Sequence, residues 1–260
     1  MKKFLSLLIT FLIVSTASVF ASDMRFIQVS DLMFSASDEN SVNSFKNLVV
    51  DINKQKKVSF VVFTGNNISK PDKKNLEGFL DNAKKLNVPY YVVLGNKDVN
   101  KQKDLSKIEY MKIVQKENRA HKKIDSSNYV FEKNDLIFIV VDGSKEVIPS
   151  PIGYYKADTL KWLDEQLNLY KDKNVVILQH FPIVPPAKKE GRYTFKADEY
   201  LKLLSGHKNV KAVVAGHFDV NNEQNVHGIL HIATEDAPSY RIIDILDYNT
   251  SNPTFWSTCR

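Results

Sequence analysis

The stretch VVFTGNNIS, residues 61–69, places strand-forming residues directly before a glycine and two asparagines. The β-branched and aromatic residues at 61–64 are typical of a buried strand. Gly65, Asn66 and Asn67 are typical of the turn that follows such a strand. A corner of this kind presents its first polar side chain at the rim of a sheet. The neutral Asn66 at this tip, where an acid would be expected, raises the question of whether the protein is an enzyme.

Other segments repeat this pattern and predict an α/β domain. Buried strands are predicted by their β-branched and aromatic content at 24–30, 58–65, 88–95, 174–180 and 210–217. Helices are predicted by apolar residues at helical spacing at 41–55, 73–86, 156–170 and 196–204. Hairpins are predicted by alternating patterns at 128–142 and 227–248. The order of these elements favours a layered α/β domain with antiparallel additions.

The first 21 residues have the organisation of a secretory signal peptide. Lys2 and Lys3 precede an apolar run from Phe4 to Phe20, and Val19 and Ala21 suit a cut after Ala21. The alternative is an uncleaved anchor, although the run is slightly shorter than the ~20 residues of a bilayer span. We expect an extracytoplasmic protein, periplasmic or secreted, with no membrane association after cleavage.

Composition limits the remaining classes of function. Cys259 is the single cysteine of the 260-residue chain, so an exported form uses no internal disulfide and depends on its core for stability. The formal net charge is +6, but the lysines are scattered through the predicted helices and are not grouped with aromatic residues. This pattern favours a solvated surface and no nucleic-acid partner.

Polar residues follow the predicted buried strands at the points where the strands end. They are Asp31, Asn66, Asn96, His180 and His217. In open α/β sheets the carboxyl ends of the strands form the rim where ligands bind. A single polar residue in this position is usually part of a turn, but a series of them indicates a site.

The corners SDLMF (30–34), TGNNIS (64–69), LGNKD (94–98), LQHFP (178–182) and AGHFD (215–219) resemble the ordered motifs of calcineurin-like metallophosphoesterases. Those motifs are D-x-H, G-D-x-x-D or G-D-N, G-N-H-[DE], a lone histidine after a strand, and G-H-x-H. The resemblance covers residues 24–245 and implies a four-layer α/β/β/α sandwich of two facing mixed sheets. Residues 246–260 are expected to form a C-terminal tail.

The resemblance also implies a dinuclear metal site, because family members bind two divalent cations about 3.5–4 Å apart that clamp a phosphoryl group and its attacking hydroxide. The second metal of the family is held by the G-N asparagine, the lone histidine and the first histidine of G-H-x-H. This sequence retains all three, as Asn96, His180 and His217.

The first metal position and the bridge between the metals are altered. Asp31 is present, but Met33 and Asp219 stand where the family has histidines, and Asn66 replaces the bridging aspartate. A thioether is a poor ligand for hard cations. A neutral amide does not offset the repulsion between two dications. The alternative interpretation is that Asn66 and Asn67 are simply favourable turn residues.

The resemblance assigns the catalytic loop position to Lys97, where the family has a histidine, and Asp98 follows it. We take both as candidate catalytic residues. Lys97 is further expected to pair with Asp31 and Asp219. The retained ligands favour one divalent metal, Zn, Mn or Fe, over a dinuclear centre.

Three functions remain open from the sequence. The first is a pseudoenzyme that binds a small phosphorylated ligand such as phosphate or a nucleotide. The second is an active phosphodiesterase or phosphatase that uses one metal or a variant site. The third is a structural protein with a vestigial cleft.

Histidines outside the motifs are interpreted as hairpin residues (His227 and His231) and as part of a solvated loop (His121).

Overall fold

The computed structural model describes residues 23–103 and 105–260. Its α-helices are α1 (Glu39–Lys54), α2 (Lys73–Ala83), α3 (Lys107–Glu117), α4 (Ala157–Leu169) and α5 (Ala197–Ser205). Its strands are β1 (Met24–Val29), β2 (Val58–Thr64), β3 (Tyr90–Val93), β4 (Tyr129–Lys133), β5 (Leu136–Val141), β6 (Gly153–Tyr154), β7 (Val175–Gln179), β8 (Thr194–Phe195), β9 (Val210–Ala215), β10 (Asn222–Val226), β11 (Ile229–Ala233), β12 (Arg241–Leu246) and β13 (Thr254–Cys259).

The predicted signal peptide, residues 1–21, lies outside these described ranges. Along the ranges themselves, none of the helices combines the length and hydropathy that a bilayer crossing requires.

The strands form two mixed sheets and a short ribbon. One sheet has the order β13-β12-β1-β2-β3, and the other has the order β10-β11-β9-β7-β5-β4. β1 pairs in parallel with β2 and antiparallel with β12, so the first sheet is mixed. β6 and β8 form a separate parallel ribbon.

Alternation along β5 shows how the layers pack. Phe138 and Val140 belong to the core between the two sheets, whereas Ile137, Ile139 and Val141 belong to the core shared with α4 and α5. Helices α1, α2 and α3 contribute their buried faces to the first of these clusters. The predicted four-layer α/β/β/α class is therefore confirmed.

Helix starts follow from local sequence. The Asp38 side chain accepts a hydrogen bond from the Asn40 backbone and caps α1, and Asp72 caps α2 by accepting from the backbone of Asn75. These caps satisfy backbone donors that have no partner within a helix. They fix the residue at which each helix begins.

One predicted hairpin is correct and the other is wrong. Residues 128–142 contain the antiparallel pair β4 and β5, as expected. Residues 227–248, however, supply β11 and β12 to different sheets: β11 pairs in parallel with β9, and β12 pairs with β1. The hairpin in this region joins β10 to β11, with His227 in its turn. Both arrangements give the same local alternation, so the pattern could not separate them.

The predicted tail contains the last strand of the first sheet. β13 pairs antiparallel with β12 from Arg241↔Cys259 to Leu246↔Thr254, so the sheet extends beyond residue 245.

The prediction that His121 lies in a solvated loop is wrong. This side chain is fully buried, in a 3-10 helix (Arg119–His121), with its ring centroid 5.2 Å from that of Tyr129. Arg119, Lys122 and Lys123 surround His121 in the sequence, and this charged context indicated an exposed loop.

Candidate metal and ligand site

The strand ends of the two sheets meet at one rim. The Asp31 backbone N–H donates to the Gly65 carbonyl at 3.1 Å, and the Gly216 N–H donates to the His180 carbonyl at 3.1 Å. The His217 N–H then joins the sheets by donating to Asp31 Oδ2 at 2.8 Å. The structure therefore brings together the corners that the sequence predicted to converge.

A buried amide below the rim holds the sheets in this register. Gln28 Nε2 donates to Thr64 Oγ1 at 3.0 Å within the first sheet and to the Ala215 carbonyl at 2.8 Å in the second. Its Oε1 accepts from Thr234 Oγ1 at 2.6 Å. Since buried polar groups are expensive to leave unpaired, this set of bonds resists sliding of one sheet over the other.

Several rim residues adopt left-handed backbone conformations although they are not glycine. The φ angles are 50° for Asp31, 50° for Met33, 52° for Asn66, 73° for His217 and 51° for Asp219. Such conformations are unfavourable for most side chains and tend to collect at functional sites. The main chain of the rim is therefore held in a specific, strained geometry.

Gly65 permits the closest approach within the rim. Its φ is +94°, and a Cβ atom placed on it would lie 2.5 Å from His180 Nδ1 and 2.9 Å from the Gly95 nitrogen. Any side chain here would collide with the corners at 95 and 180. The glycine therefore sets how near His180 sits to the loop that carries Asn96.

Asn66 uses both ends of its amide within the rim. Its Nδ2 donates to Asp31 Oδ1 at 2.8 Å, and its Oδ1 accepts from the Lys97 backbone N–H at 2.9 Å. The residue at the family's bridging position is thus a hydrogen-bonded link between two corners. This arrangement needs an amide, because a carboxylate cannot donate to Asp31.

Asp31 is enclosed by donors. Its Oδ2 accepts from Ser30 Oγ at 2.5 Å and from the His217 N–H, while Oδ1 accepts from Asn66. Burial raises the pKa of Asp31, and the hydrogen bonds from Ser30, His217 and Asn66 oppose that rise. Its oxygens are thus engaged with protein groups on both sides.

Two buried acceptors at the strand ends have no hydrogen-bond partner among the described residues. His180 Nδ1 donates to the Thr64 carbonyl at 2.8 Å, which leaves Nε2 with its lone pair. Neither His180 Nε2 nor Asn96 Oδ1 has a hydrogen-bond partner among the described residues. Burial lowers the pKa of His180 to about 4, so its ring is neutral near pH 7. A buried acceptor without a donor is a feature that a cation would satisfy.

His217 completes this group. Its Nε2 donates to the Pro151 carbonyl at 2.8 Å, so Nδ1 carries the lone pair, and its ring centroid lies 4.8 Å from that of His180. Burial, followed by the nearby His180, lowers the pKa of His217 to about 3. Two neutral imidazoles and an amide oxygen fit one borderline divalent cation such as Zn²⁺.

The remaining residues of the first metal position are not arranged as ligands. Met33 presents an apolar side chain that is 38% exposed. Asp219 Oδ2 lies 2.6 Å from Arg192 Nη1 and 3.0 Å from Lys189 Nζ. Within residues 23–103 and 105–260, no group of three or more His, Cys, Asp or Glu side chains is placed to hold a metal.

The expected pairing of Lys97 with Asp31 and Asp219 is wrong. The carboxylate of Asp31 is bound by its own corner, and that of Asp219 is bound by Lys189 and Arg192. The Lys97 side chain is exposed and makes no ion pair within the described part of the chain. Its contribution to the rim is its backbone N–H.

Asp98 was predicted to be catalytic, but its side chain is buried and does not reach the surface. It is fully buried, with Oδ2 accepting from the Gly95 N–H at 2.8 Å and Oδ1 from the Ile68 N–H at 3.0 Å. Burial raises its pKa to about 7 against these hydrogen bonds. Asp98 therefore ties the loop after β2 to the loop after β3, and no atom of it is exposed to a ligand.

Sequence reasoning did not identify the cations that pair with Asp219. Lys189 and Arg192 lie between β7 and β8, about 30 positions before the residue they contact. The cluster of basic residues in AKKEGR (187–192) was the available signal, but no local pattern indicates which carboxylate such residues meet.

Comparison with known proteins agrees with this architecture. The calcineurin-like phosphoesterase family model matches residues 24–220. A curated protein of Arcobacter nitrofigilis, named a probable glycerophosphodiester phosphodiesterase, is 26% identical over 231 residues, which is 84% of this chain and 80% of that protein.

Solved structures show the same fold at low identity. A dimetal phosphatase from Danio rerio has a TM-score of 0.67 at 15% identity and covers 89% of this chain and 98% of its own. GAP50, described as the anchor in the inner membrane complex of Plasmodium, has a TM-score of 0.58 at 13% identity and covers 86% of this chain and 83% of its own.

The layered sheets and the converging corners define a phosphoesterase-type α/β/β/α sandwich. With the family model matching most of its length, the chain belongs to the calcineurin-like phosphoesterase family.

Proposed function

We propose that this protein is a pseudoenzyme of the calcineurin-like phosphoesterase family that binds a small phosphorylated ligand. The observation that carries the proposal is the position of Asn66, whose amide links Asp31 to the Lys97 backbone through bonds of 2.8 and 2.9 Å. Both polar ends of the bridging residue are committed to the protein. A shared carboxylate, which two closely spaced dications require, is absent from this position.

The other losses act in the same direction. Met33 offers no oxygen or imidazole, and Asp219 is held by Arg192 and Lys189. Groups that act together in catalysis lose rate far more than additively when several are missing. We therefore expect the protein to bind a phosphoryl group without hydrolysing it.

One metal remains compatible with the site. Asn96 Oδ1, His180 Nε2 and His217 Nδ1 would hold it, and the first two are buried acceptors without hydrogen-bond partners among the described residues. A bound divalent cation would supply positive charge that orients a phosphoryl oxygen. The chain's own part is to keep both imidazoles neutral through burial and to fix their tautomers through Thr64 and Pro151.

A second candidate function is an active hydrolase that uses this single metal. The same pair of buried acceptors supports it, as does the 26% identity to a protein named a probable glycerophosphodiester phosphodiesterase. The fold itself does not decide between the two, since its structural relatives are described both as a phosphatase and as an anchor.

Metal content and turnover separate the two candidates. The purified protein is loaded with Zn²⁺ or Mn²⁺, its metal is counted by mass spectrometry, and hydrolysis of an aryl phosphodiester is followed with and without chelator. We expect at most one metal per chain and no chelator-sensitive rate. A wild-type rate of about 1 s⁻¹ or faster, ordinary for an enzyme, would contradict the pseudoenzyme proposal.

We also propose that the protein is exported. Support comes from the basic start, the apolar run from Phe4 to Phe20 and the small residues before Ser22. N-terminal sequencing of the protein purified from the extracytoplasmic fraction should begin at Ser22. A product that retains Lys2 and Lys3 in the membrane fraction would indicate an anchor instead.

A further inference from the structure

The segment 182–196, which we call the strap and which includes β8, contacts the corner 216–219. Lys189 Nζ donates to the Phe218 carbonyl at 2.5 Å and lies 3.0 Å from Asp219 Oδ2. Arg192 Nη1 donates to the His217 carbonyl and lies 2.6 Å from the same Asp219 oxygen. Two cations of the strap therefore meet on one carboxylate oxygen.

This group has the chemistry of a phosphoryl site. A guanidinium and an ammonium that converge on one anionic oxygen are the donors that proteins use for phosphate. The carbonyls of His217 and Phe218 accept from the same two cations, so the cations keep a fixed position when the carboxylate moves away. The site is thus preorganised for an anion.

The group is also accessible and carries excess positive charge. The side chains of Asp219, Arg192 and Lys189 are 31%, 34% and 35% exposed. One carboxylate faces two cations, so this group of three side chains carries a net positive charge. Burial tends to raise the pKa of Asp219, but the hydrogen bonds and charges of Lys189 and Arg192 together lower it below its usual value, so the carboxylate is charged at neutral pH.

Asp219 lies in the same corner of the chain as His217, one of the candidate metal ligands. His217 and Asp219 are two residues apart in one corner, with left-handed φ angles of 73° and 51°. A phosphoryl group in place of the Asp219 carboxylate would bind at the same corner of the chain as His217, whose carbonyl accepts from Arg192.

We propose that Lys189 and Arg192 are the phosphoryl-binding residues of the rim, and that the Asp219 carboxylate holds them as an internal anion when no ligand is bound. The inference rests on the proposed binding function and names the residues that perform it. Binding is a competition in which a phosphate or phosphomonoester displaces Asp219 from both cations. No covalent bond forms or breaks.

Calorimetric titration with inorganic phosphate tests the proposal on the mature protein, first with chelator and then with Zn²⁺. We expect Asp219→Asn to raise phosphate affinity at least about fivefold, since it removes the competing charge and keeps the size. The double variant Lys189→Met, Arg192→Met should lower affinity about tenfold or more. Lys188→Met, at an exposed neighbouring lysine of the strap, should leave affinity unchanged.

The phosphate affinities of the wild type and of Asp219→Asn decide whether the proposal stands. An Asp219→Asn affinity equal to or below that of wild type would overturn the proposal, as would the absence of binding in both proteins. If Asp219→Asn does not fold, Asp219→Gly repeats the test, because glycine also tolerates a φ of 51°. Hydrolysis by the wild type would contradict the pseudoenzyme proposal, but it would leave the expected order of phosphate affinities intact.

Discussion

The Asn66 amide donates to the Asp31 carboxylate across 2.8 Å, so the residue at the bridging position stabilises the first corner directly. The bond has a fixed direction, because the same amide accepts from the Lys97 N–H through its oxygen. An acid at position 66 would keep the acceptor and lose the donor.

Asn66→Asp is expected to destabilise the protein in chelator by about 1–3 kcal/mol, because two buried carboxylates would then face each other. Adding Mn²⁺ should recover more stability in the variant than in wild type, with little gain in hydrolysis. Thermal unfolding with chelator and with Mn²⁺ measures both effects.

Asn134→Asp provides the matched control for this change. Asn134 has a φ of 50°, close to the 52° of Asn66, but its side chain is exposed. Its substitution should alter stability by no more than about 0.5 kcal/mol and should not respond to Mn²⁺. If Asn66→Asp behaves like Asn134→Asp, the buried link between Asp31 and Asn66 has no energetic importance.

The full ligand set is expected to restore chemistry where the single change does not. Combining Asn66→Asp with Met33→His, Lys97→His and Asp219→His should give measurable hydrolysis of an aryl phosphodiester in Mn²⁺. The two-metal clamp stabilises the transition state only when both positions are filled. The assay compares wild type, Asn66→Asp and the quadruple variant with chelator controls, and an inactive quadruple variant that binds two metals would disprove this account of the lost rate.

Gly65→Ala should be strongly destabilising, by about 3 kcal/mol or more, because overpacking adds to backbone strain. The new methyl group would lie 2.5 Å from His180 Nδ1. Gly228→Ala separates the two effects, since Gly228 has a φ of +79° but no described atom within 4 Å of an added Cβ. Denaturant unfolding of both variants should show that the greater part of the Gly65→Ala loss comes from contact with His180.

His121 should make the protein sensitive to acid. Burial lowers its pKa from 6.5 to about 3, so protonation favours the unfolded chain. His121 does not alter the free energy of unfolding above about pH 6.5, but it lowers that energy as the pH falls from 6.5 towards 3. The loss should reach about 2 kcal/mol at pH 5.

His121→Phe is expected to flatten this acid limb while filling the same aromatic space near Tyr91 and Tyr129. His227→Asn, at an exposed turn position with a φ of 54°, should keep the wild-type profile. Urea unfolding between pH 4 and 8 makes the comparison. An unchanged slope in His121→Phe would show that other groups cause the acid sensitivity.

The predictable part of the fold is the part that local sequence controls. β1, β2, β7 and β9 are runs of buried apolar residues that end in a polar corner, and both their existence and their rim were expected. The pairing of β11 and β12 with different sheets was not, because alternation describes a strand and not its neighbour. β13 was missed because exposed Thr254, Trp256 and Thr258 alternate with half-buried Phe255 and Ser257, a weak signal at an edge.

The site divides in the same way. Asn96, His180 and His217 follow predicted strands, and the resemblance to the family's motifs identified them as one predicted group. Contacts made by side chains from distant loops were not predictable, and Arg192 with Asp219 is the main example. Whether a carboxylate pairs with a nearby lysine or with a loop arginine depends on loop conformation, which has no periodic signal.

The pairing of β1 with β12 has a consequence for how the chain folds. Met24 lies opposite Ile245, and Arg241 of β12 lies opposite Cys259 of β13, so two of the five strands of the first sheet come from residues 241–259. Contacts between segments this far apart in sequence close late, because the loop entropy must be overcome before they form. A growing chain would therefore carry an unpaired edge on β1 until its last twenty or so residues arrived, and partial chains would be vulnerable to aggregation along that edge.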